Sequence, residues 1–374
     1  MSIRESARRI RELSFEMGPI RPPSEGGSFS LLIRATRNCP WNRCRFCSTY
    51  KGTKFELRPV EEVKQDIDAA ACIASEIRAC SWKLGFGGAL NSFVIRALIR
   101  EAPDLAFHHP FVNVANWLLS GAKTAFLQDA NSLILPAPKL IEILTHLKST
   151  FPTLERITSY ARSHTLYRKS FEDLKEIRGA GLVRLHVGLE SGDDEILRRM
   201  EKGATASQHI EGGRKAVEAG FELSEYVMPG LGGRELSERH ARKTAEVLNE
   251  INPHFIRLRP LTPRRGSPLW EEWERGEFEL LSPHEILREL RIFVEELRVE
   301  SRLCFDHFLN PTFRSPSGGE IFSGERVRPL FSRSYDGYKL PEQKEEILKL
   351  IEEGLSIPEE LYISPAEYAL LPSL

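Results

Sequence analysis

Leu31-Leu32-Ile33-Arg34-Ala35-Thr36-Arg37-Asn38-Cys39-Pro40-Trp41-Asn42-Arg43-Cys44-Arg45-Phe46-Cys47 joins an apolar run to three cysteines spaced C-x4-C-x2-C. The apolar run reads as a buried strand and the cysteines as the loop that leaves it. In α/β folds the working side chains sit on loops at the carboxyl ends of strands, so the triplet falls on the face where chemistry is done. Thiolates suit iron–sulfur clusters, zinc or Cu(I). Zinc would want a fourth Cys or His close by, yet the nearest histidines, His108 and His109, stand far along the chain. Three thiolates on an iron–sulfur centre, with one iron open for a ligand, is the better reading of the loop.

Outward from that loop the chain alternates between short apolar runs and amphipathic stretches, the pattern of successive βα units and a parallel sheet. Strands are expected over 31–35, 124–128, 156–160, 183–188, 222–227 and 255–259. Helices are expected over 60–71, 138–148, 171–179, 193–200 continuing into 208–219, and 237–251. Right-handed crossovers would turn six such units into an α/β fold, a partial (β/α)6 TIM-like barrel. A helical insertion, about 72–121, follows the first βα unit, with helices expected over 91–101 and 112–120. A mostly helical C-terminal cap holds a long helix over 283–302, a Pro/Gly/Ser-rich stretch over 310–324 and a last helix over 341–354. The domain reading is an N-terminal helical extension (1–28), the barrel (29–270) and a cap that shapes the substrate region (271–374).

Composition narrows the class. The chain has 374 residues, 41% of them hydrophobic and 28% charged, with a net charge of −1. That is ordinary for a chain with a large core and supplies no basic field to recruit nucleic acid. No apolar run is long enough to span a bilayer, and the charged segment Met1–Glu16 lacks the apolar core of a signal peptide. Six cysteines, three bunched and three scattered, do not make a disulfide framework. They point to a reducing compartment, and the expected location is cytoplasmic.

The loop, its place after the first strand and the later segments together resemble the radical SAM superfamily. More narrowly they resemble the subgroup of the Elongator catalytic subunit, the methylthiotransferases and oxygen-independent coproporphyrinogen oxidase. The superfamily's common loop is C-x3-C-x2-C; this chain has one extra residue between Cys39 and Cys44, while Phe46 matches the aromatic habit before the last cysteine. The resemblance implies a 4Fe–4S cluster on Cys39, Cys44 and Cys47 with S-adenosyl-L-methionine (SAM) as cofactor. It implies reductive cleavage of SAM to a 5′-deoxyadenosyl radical, which takes a hydrogen from a substrate the sequence does not name. It assigns SAM-binding roles to Asp129 and Asn131 at the second strand, and to Ser159 and Arg162 at the third. Further roles fall to Glu190 in Gly188-Leu189-Glu190-Ser191, to Lys202 twelve residues later, and to Met228 and Gly230 in the turn after the fifth strand. The usual Gly-Gly-Glu of the second strand is replaced here by Phe126-Leu127-Gln128-Asp129-Ala130-Asn131.

Each of these residues has a competing role. Glu190 could pair with Arg162 or Arg184, Lys202 could be a solvated charge at a helix end, and Asp129 and Asn131 could cap a turn. Cys72, Cys80 and Cys304 read as small buried hydrophobes, so one cluster is expected. In Cys304-Phe305-Asp306-His307-Phe308-Leu309-Asn310, Asp306 and His307 are candidates for substrate binding. Arg264-Arg265 is either surface charge or a contact for an anionic substrate. The expected partners are a reductant such as flavodoxin or ferredoxin and a small-molecule substrate, with neither membrane nor nucleic acid. The alternative is a zinc-binding structural or nucleic-acid-binding module built on the same cysteines.

Overall fold

The computed structural model describes residues 2–20 and 29–371. The last part of the expected N-terminal extension, 21–28, lies outside them. The chain separates into two compact units, one of Met1–Pro40, Lys54–Ala161 and Ser170–Leu185, the other of Trp41–Thr53, Arg162–Lys169 and His186–Leu374.

In the first unit, strands β1 (Leu31–Arg34), β2 (Thr124–Gln128) and β3 (Arg156–Ala161) run parallel in that order, with Leu32 opposite Phe126 and Phe126 opposite Thr158. Strand β4 (Leu182–Glu190) begins in this unit and ends in the second. The helix Val60–Lys83 continues well beyond the expected end at 71. Its apolar residues keep helical spacing past Cys72 through Ile73, Ile77 and Cys80, and it stops before Gly85, whose φ is +81°. The insertion holds the helices Ser92–Glu101, capped by Asn91, and His109–Leu119, capped by the His108 ring. The helix Ile3–Glu12 opens the chain with a capping box between Ser2 and Glu5.

In the second unit, β5 (Glu222–Val227), β6 (Phe255–Leu258) and β7 (Arg302–Cys304) are parallel neighbours. The fold is therefore α/β with a mostly parallel central sheet. The expected continuous pattern over 193–219 is two helices, Asp194–Arg199 capped by Asp193 and Ala206–Glu218 capped by Thr205. Gly203, at φ +69°, turns the chain between them.

The helix expected over 283–302 ends at Glu296, and residues 302–304 join the sheet as β7. Two side-chain amides cause the break: Asn249 Oδ1 takes the Arg298 N–H at 2.6 Å and Asn252 Oδ1 takes that of Glu300 at 2.9 Å. These bonds hold the chain extended and deliver Leu303 and Cys304, both fully buried, into the sheet.

The Pro/Gly/Ser-rich stretch is not all loop. Strands β8 (Thr312–Arg314), β9 (Glu320–Phe322) and β10 (Glu325–Pro329) form an antiparallel ribbon, and the short β11 (Tyr338–Lys339) runs antiparallel to β7. Ser323 and Gly324, both at positive φ, make the tight turn between β9 and β10. The helices Lys344–Ser356 and Pro365–Leu370 complete the cap.

Candidate active site

The candidate residues fall into two groups, one in each unit. In the first, Asp129 follows β2 and is fully buried. Its Oδ2 accepts from Arg34 Nε at 2.7 Å and from the Asn38 N–H at 3.2 Å, one residue before Cys39. Its Oδ1 is buried without a hydrogen-bond partner, an acceptor that a bound ammonium could satisfy. Arg34 also binds Glu16, which in turn takes Arg37. Asn131 is buried at the start of the short turn Ser132–Ile134 and its side chain does not cap it. The Ser159 hydroxyl donates to the carbonyls of Leu127 and Tyr160.

In the second unit the segment Trp41–Thr53 folds against the turn 200–203. Arg45 N–H donates to Met200 O at 3.0 Å, and Trp41 Nε1–H donates to Glu201 O at 2.6 Å. The Arg45 side chain is shared by Glu201 and Glu272. Arg162 lies over the Trp41 ring, 5.0 Å from its centroid, and donates to Lys202 O at 2.8 Å. The same turn points Lys202 inward, where Nζ meets Glu190 Oε1 at 3.0 Å. Lys202 is thus not a solvated helix-end charge: both side chains of the pair are only 13% exposed. Glu190 is ion-paired with Lys202.

Burial pushes the Cys44 thiol above the usual cysteine range, and the nearby Lys202 ammonium partly offsets this. Burial disfavours the charge on Lys202 itself, but Glu190 and Cys44 outweigh it and raise its pKa. Of the remaining thiols, Cys80 and Cys304 are buried as expected, whereas Cys72 is exposed.

The segment 188–192 shows why each residue type is needed. A Cβ on Gly188 would lie 2.2 Å from Glu190 Oε1 and 2.8 Å from Lys202 Nζ, so a side chain there would push the ion pair aside. Glu190 adopts φ +66°, a left-handed backbone conformation that residues other than glycine rarely take. Ser191 Oγ donates to His240 Nδ1 at 2.8 Å, and His240 Nε2–H donates to Met228 O at 3.1 Å. The Met228 N–H returns to Glu190 O at 3.0 Å. The Gly230 N–H donates to Glu289 Oε1 at 2.7 Å. The ends of β4 and β5 are thereby locked together, and the turn at Gly230 is fixed.

His240, Glu289 and Glu225 carry this arrangement or lie near it, and sequence reasoning missed them. All three are buried, and the partners of His240 and Glu289 are distant in sequence, so no local pattern marks them. Burial raises the carboxyl of Glu225 in β5 well above the ordinary range, against the pull of Lys202.

Asp306 accepts from Arg257 at 2.7 Å, and burial raises its carboxyl although Arg257 opposes this. His307, next in sequence, is pushed down to about 3 by burial and by Arg259, Arg264 and Arg333. His209, buried against Ser163, is likewise lowered by burial, with Lys202 and Arg162 adding to the effect.

Both histidines stay neutral in the fold. As pH falls below about 6.5 the unfolded chain takes up protons that the folded one refuses, at about 1.4 kcal/mol per histidine per pH unit. Stability should therefore drop from about pH 6.5 downwards, while Glu225 acts in the opposite sense as pH rises above the carboxylate range. The difference between wild type and His209→Gln isolates one histidine. Thermal melts between pH 7.5 and 5 should fall less steeply for the variant, and identical slopes would refute the assignment.

Taken one unit at a time, the residue types suit an iron–sulfur centre and a methionine-derived ligand. The cysteines supply soft thiolates; in the first unit Asp129 has an unfilled acceptor for an ammonium, and in the second Lys202 and Arg162 are cations for a carboxylate and the Gly230 turn allows close backbone approach. Among the described residues, no three His, Cys, Asp or Glu side chains converge on a single metal-ion position.

Residues 112–245 match the model of the Radical SAM superfamily. The chain is 20% identical to the tRNA uridine(34) acetyltransferase of Methanocaldococcus jannaschii over 282 residues, 70% of this chain and 47% of that one. It is 30% identical to the biotin synthase of Clostridium botulinum over 149 residues, 39% of this chain and 43% of that one. The chain thus spans less than half the length of these relatives. A solved structure of coproporphyrinogen III oxidase from Escherichia coli superposes with TM-score 0.44 at 15% identity, covering 78% of this chain and 55% of that one. That likeness is too loose to carry an argument.

Proposed function

We propose that this chain binds a 4Fe–4S cluster through Cys39, Cys44 and Cys47 and acts on SAM. The observation that carries this reading is the buried Lys202–Glu190 pair beside Cys44, held at the end of β4 by the turn that also seats Arg45 and Trp41. When bound, the cluster supplies the electron that cleaves SAM to a 5′-deoxyadenosyl radical able to take a hydrogen from substrate.

The chain's own residues do the rest. Asp129 offers an acceptor to the SAM ammonium, Lys202 and Arg162 offer cations to its carboxylate, and the Met228–Gly230 turn accepts the adenine. Glu190 holds Lys202 in place, and the Arg45–Glu272 bond closes the segment behind Cys44. Burial around the pair excludes water from a reactive intermediate.

A reductant such as flavodoxin or ferredoxin and a cytoplasmic setting follow from this reading. No helix among the described residues is long and apolar enough to cross a membrane. The zinc-module alternative is separated by metal content.

The test is anaerobic reconstitution, an iron and zinc count on the sample, and an assay for 5′-deoxyadenosine with a strong reductant. Iron-loaded protein should form deoxyadenosine from SAM. A cluster-loaded sample that forms none would defeat the proposal, and a colourless zinc protein would establish the alternative.

A further inference from the structure

Beyond the end of β6 the second unit gathers cations without acids. Arg259 follows the strand directly, its N–H donating to Val227 O at 2.9 Å, while the Leu261 N–H donates to Pro229 O at 2.8 Å. The segment is therefore clipped to the turn that leads into Gly230. Arg264 is half-buried on the exit loop, and Arg265 next to it turns away to lie over the Trp270 ring, 5.4 Å from its centroid.

The loop after β7 is tied to the same place. Asn310 Nδ2 donates to Leu258 O at 3.2 Å and to His307 O at 3.0 Å, which sets His307 beside the end of β6. The Leu309 N–H occupies His307 Nδ1 at 3.3 Å, so the ring proton is on Nε2 and faces no described acceptor. Arg333 enters from the cap, donating to Thr312 Oγ1 at 2.9 Å and pairing with Glu320.

Neighbouring carboxylates are already engaged. Asp306 is taken by Arg257 and Glu320 by Arg333. Neither Arg259 nor Arg264 has an ion pair among the described residues, and burial together with Arg259 lowers Arg264 below the usual guanidinium range. Arg264 is half-buried and Arg259 exposed, and a half-buried guanidinium that feels a second positive charge is relieved when an anion joins them. Arginine forks match planar oxyanions, and the His307 Nε2–H adds a neutral donor.

We infer that Arg259, Arg264 and His307 form a recognition site for a carboxylate or phosphate group of the substrate. It rests on the radical SAM reading only in assigning that anion to the substrate, since the cluster of donors stands without it. The site would hold the anionic end of a small molecule beside the turn that fixes Gly230, leaving the rest of that molecule to reach toward the Lys202 face. Arg257 and Asp306 have a different part: paired with each other, they brace the loop that presents His307.

The experiment uses the reconstituted chain at constant ionic strength, with SAM present at saturation. Inorganic phosphate and succinate are titrated separately and followed by calorimetry and by the rise in melting temperature. One of the two should bind saturably, and which one does tells phosphate from carboxylate recognition. Arg264→Gln and Arg259→Gln should each weaken that binding at least about 10-fold, whereas Arg265→Gln should bind as wild type does. Arg264 is on the loop surface, and circular dichroism of both variants checks the fold.

Absence of saturable binding by either anion in wild type overturns the inference. So does binding that both arginine variants retain, or anion binding that appears only when SAM is left out, which would give the arginines to the SAM carboxylate. Wild type assayed for deoxyadenosine in the same preparation keeps the two readings apart. Deoxyadenosine without anion binding refutes this site alone, and anion binding that depends on Arg264 without deoxyadenosine upholds the site and refutes the radical reading.

Discussion

Cys44→Ser is expected to lose its cluster iron and to form no detectable 5′-deoxyadenosine while keeping the fold. Cys44 is held where burial opposes a free thiolate and Lys202 favours one. A thiolate at this position therefore needs a positive partner, which Lys202 supplies in part and a bound metal centre would complete. Serine occupies nearly the same volume but offers a hard, protonated hydroxyl that a soft iron–sulfur centre does not accept. Far-ultraviolet circular dichroism should be unchanged, because Arg45 and Trp41 anchor the segment independently through Met200, Glu201 and Glu272. Cys72→Ser, at an exposed thiol remote in sequence from the loop, is the control and should retain iron and activity. A Cys44→Ser protein that still carries iron and still forms deoxyadenosine would contradict the ligand assignment.

Gly192→Ala is expected to destabilise the chain by about 2–4 kcal/mol, the range of severe overpacking against a backbone that cannot move aside. A Cβ at this position would stand 2.2 Å from Lys243 O and 2.7 Å from Thr244 Cα, in the helix Ser237–Ile251. The Gly192 N–H donates to Thr244 Oγ1 at 2.9 Å, and Ser191 bonds His240 on the same helix. Pushing the helix away would therefore break the lock between β4 and β5 as well as the packing. Denaturant unfolding should show the loss, with SAM affinity falling alongside it. A change below about 0.5 kcal/mol, within the range of ordinary surface substitutions, would show that the close approach is not needed.

The strand ends were legible because period and punctuation act locally. All six expected strands are present within a few residues, and the segment 188–192 could be read because its residue types are dictated by close approach. What lay hidden depends on contacts across long sequence gaps. Lys202 reads as a surface lysine until the turn at Gly203 is known to fold it back on Glu190. His240 and Glu289 sit on helices whose polar residues are indistinguishable from solvated ones until their partners Ser191, Met228 and Gly230 arrive. The helix expected to reach 302 stops early because Asn249 and Asn252, far upstream, capture its backbone. Likewise Arg264 and Arg265 form one charged pair in sequence, but Arg265 lies exposed over Trp270 while Arg264 is half-buried.

The most direct test of the central claim is 5′-deoxyadenosine formation by a sample whose metals have been counted. The account predicts a brown protein with about four irons per chain, as one 4Fe–4S cluster requires, that releases deoxyadenosine from SAM when a strong reductant is added. A protein carrying that iron yet releasing none, or one that holds stoichiometric zinc and no iron, would contradict it.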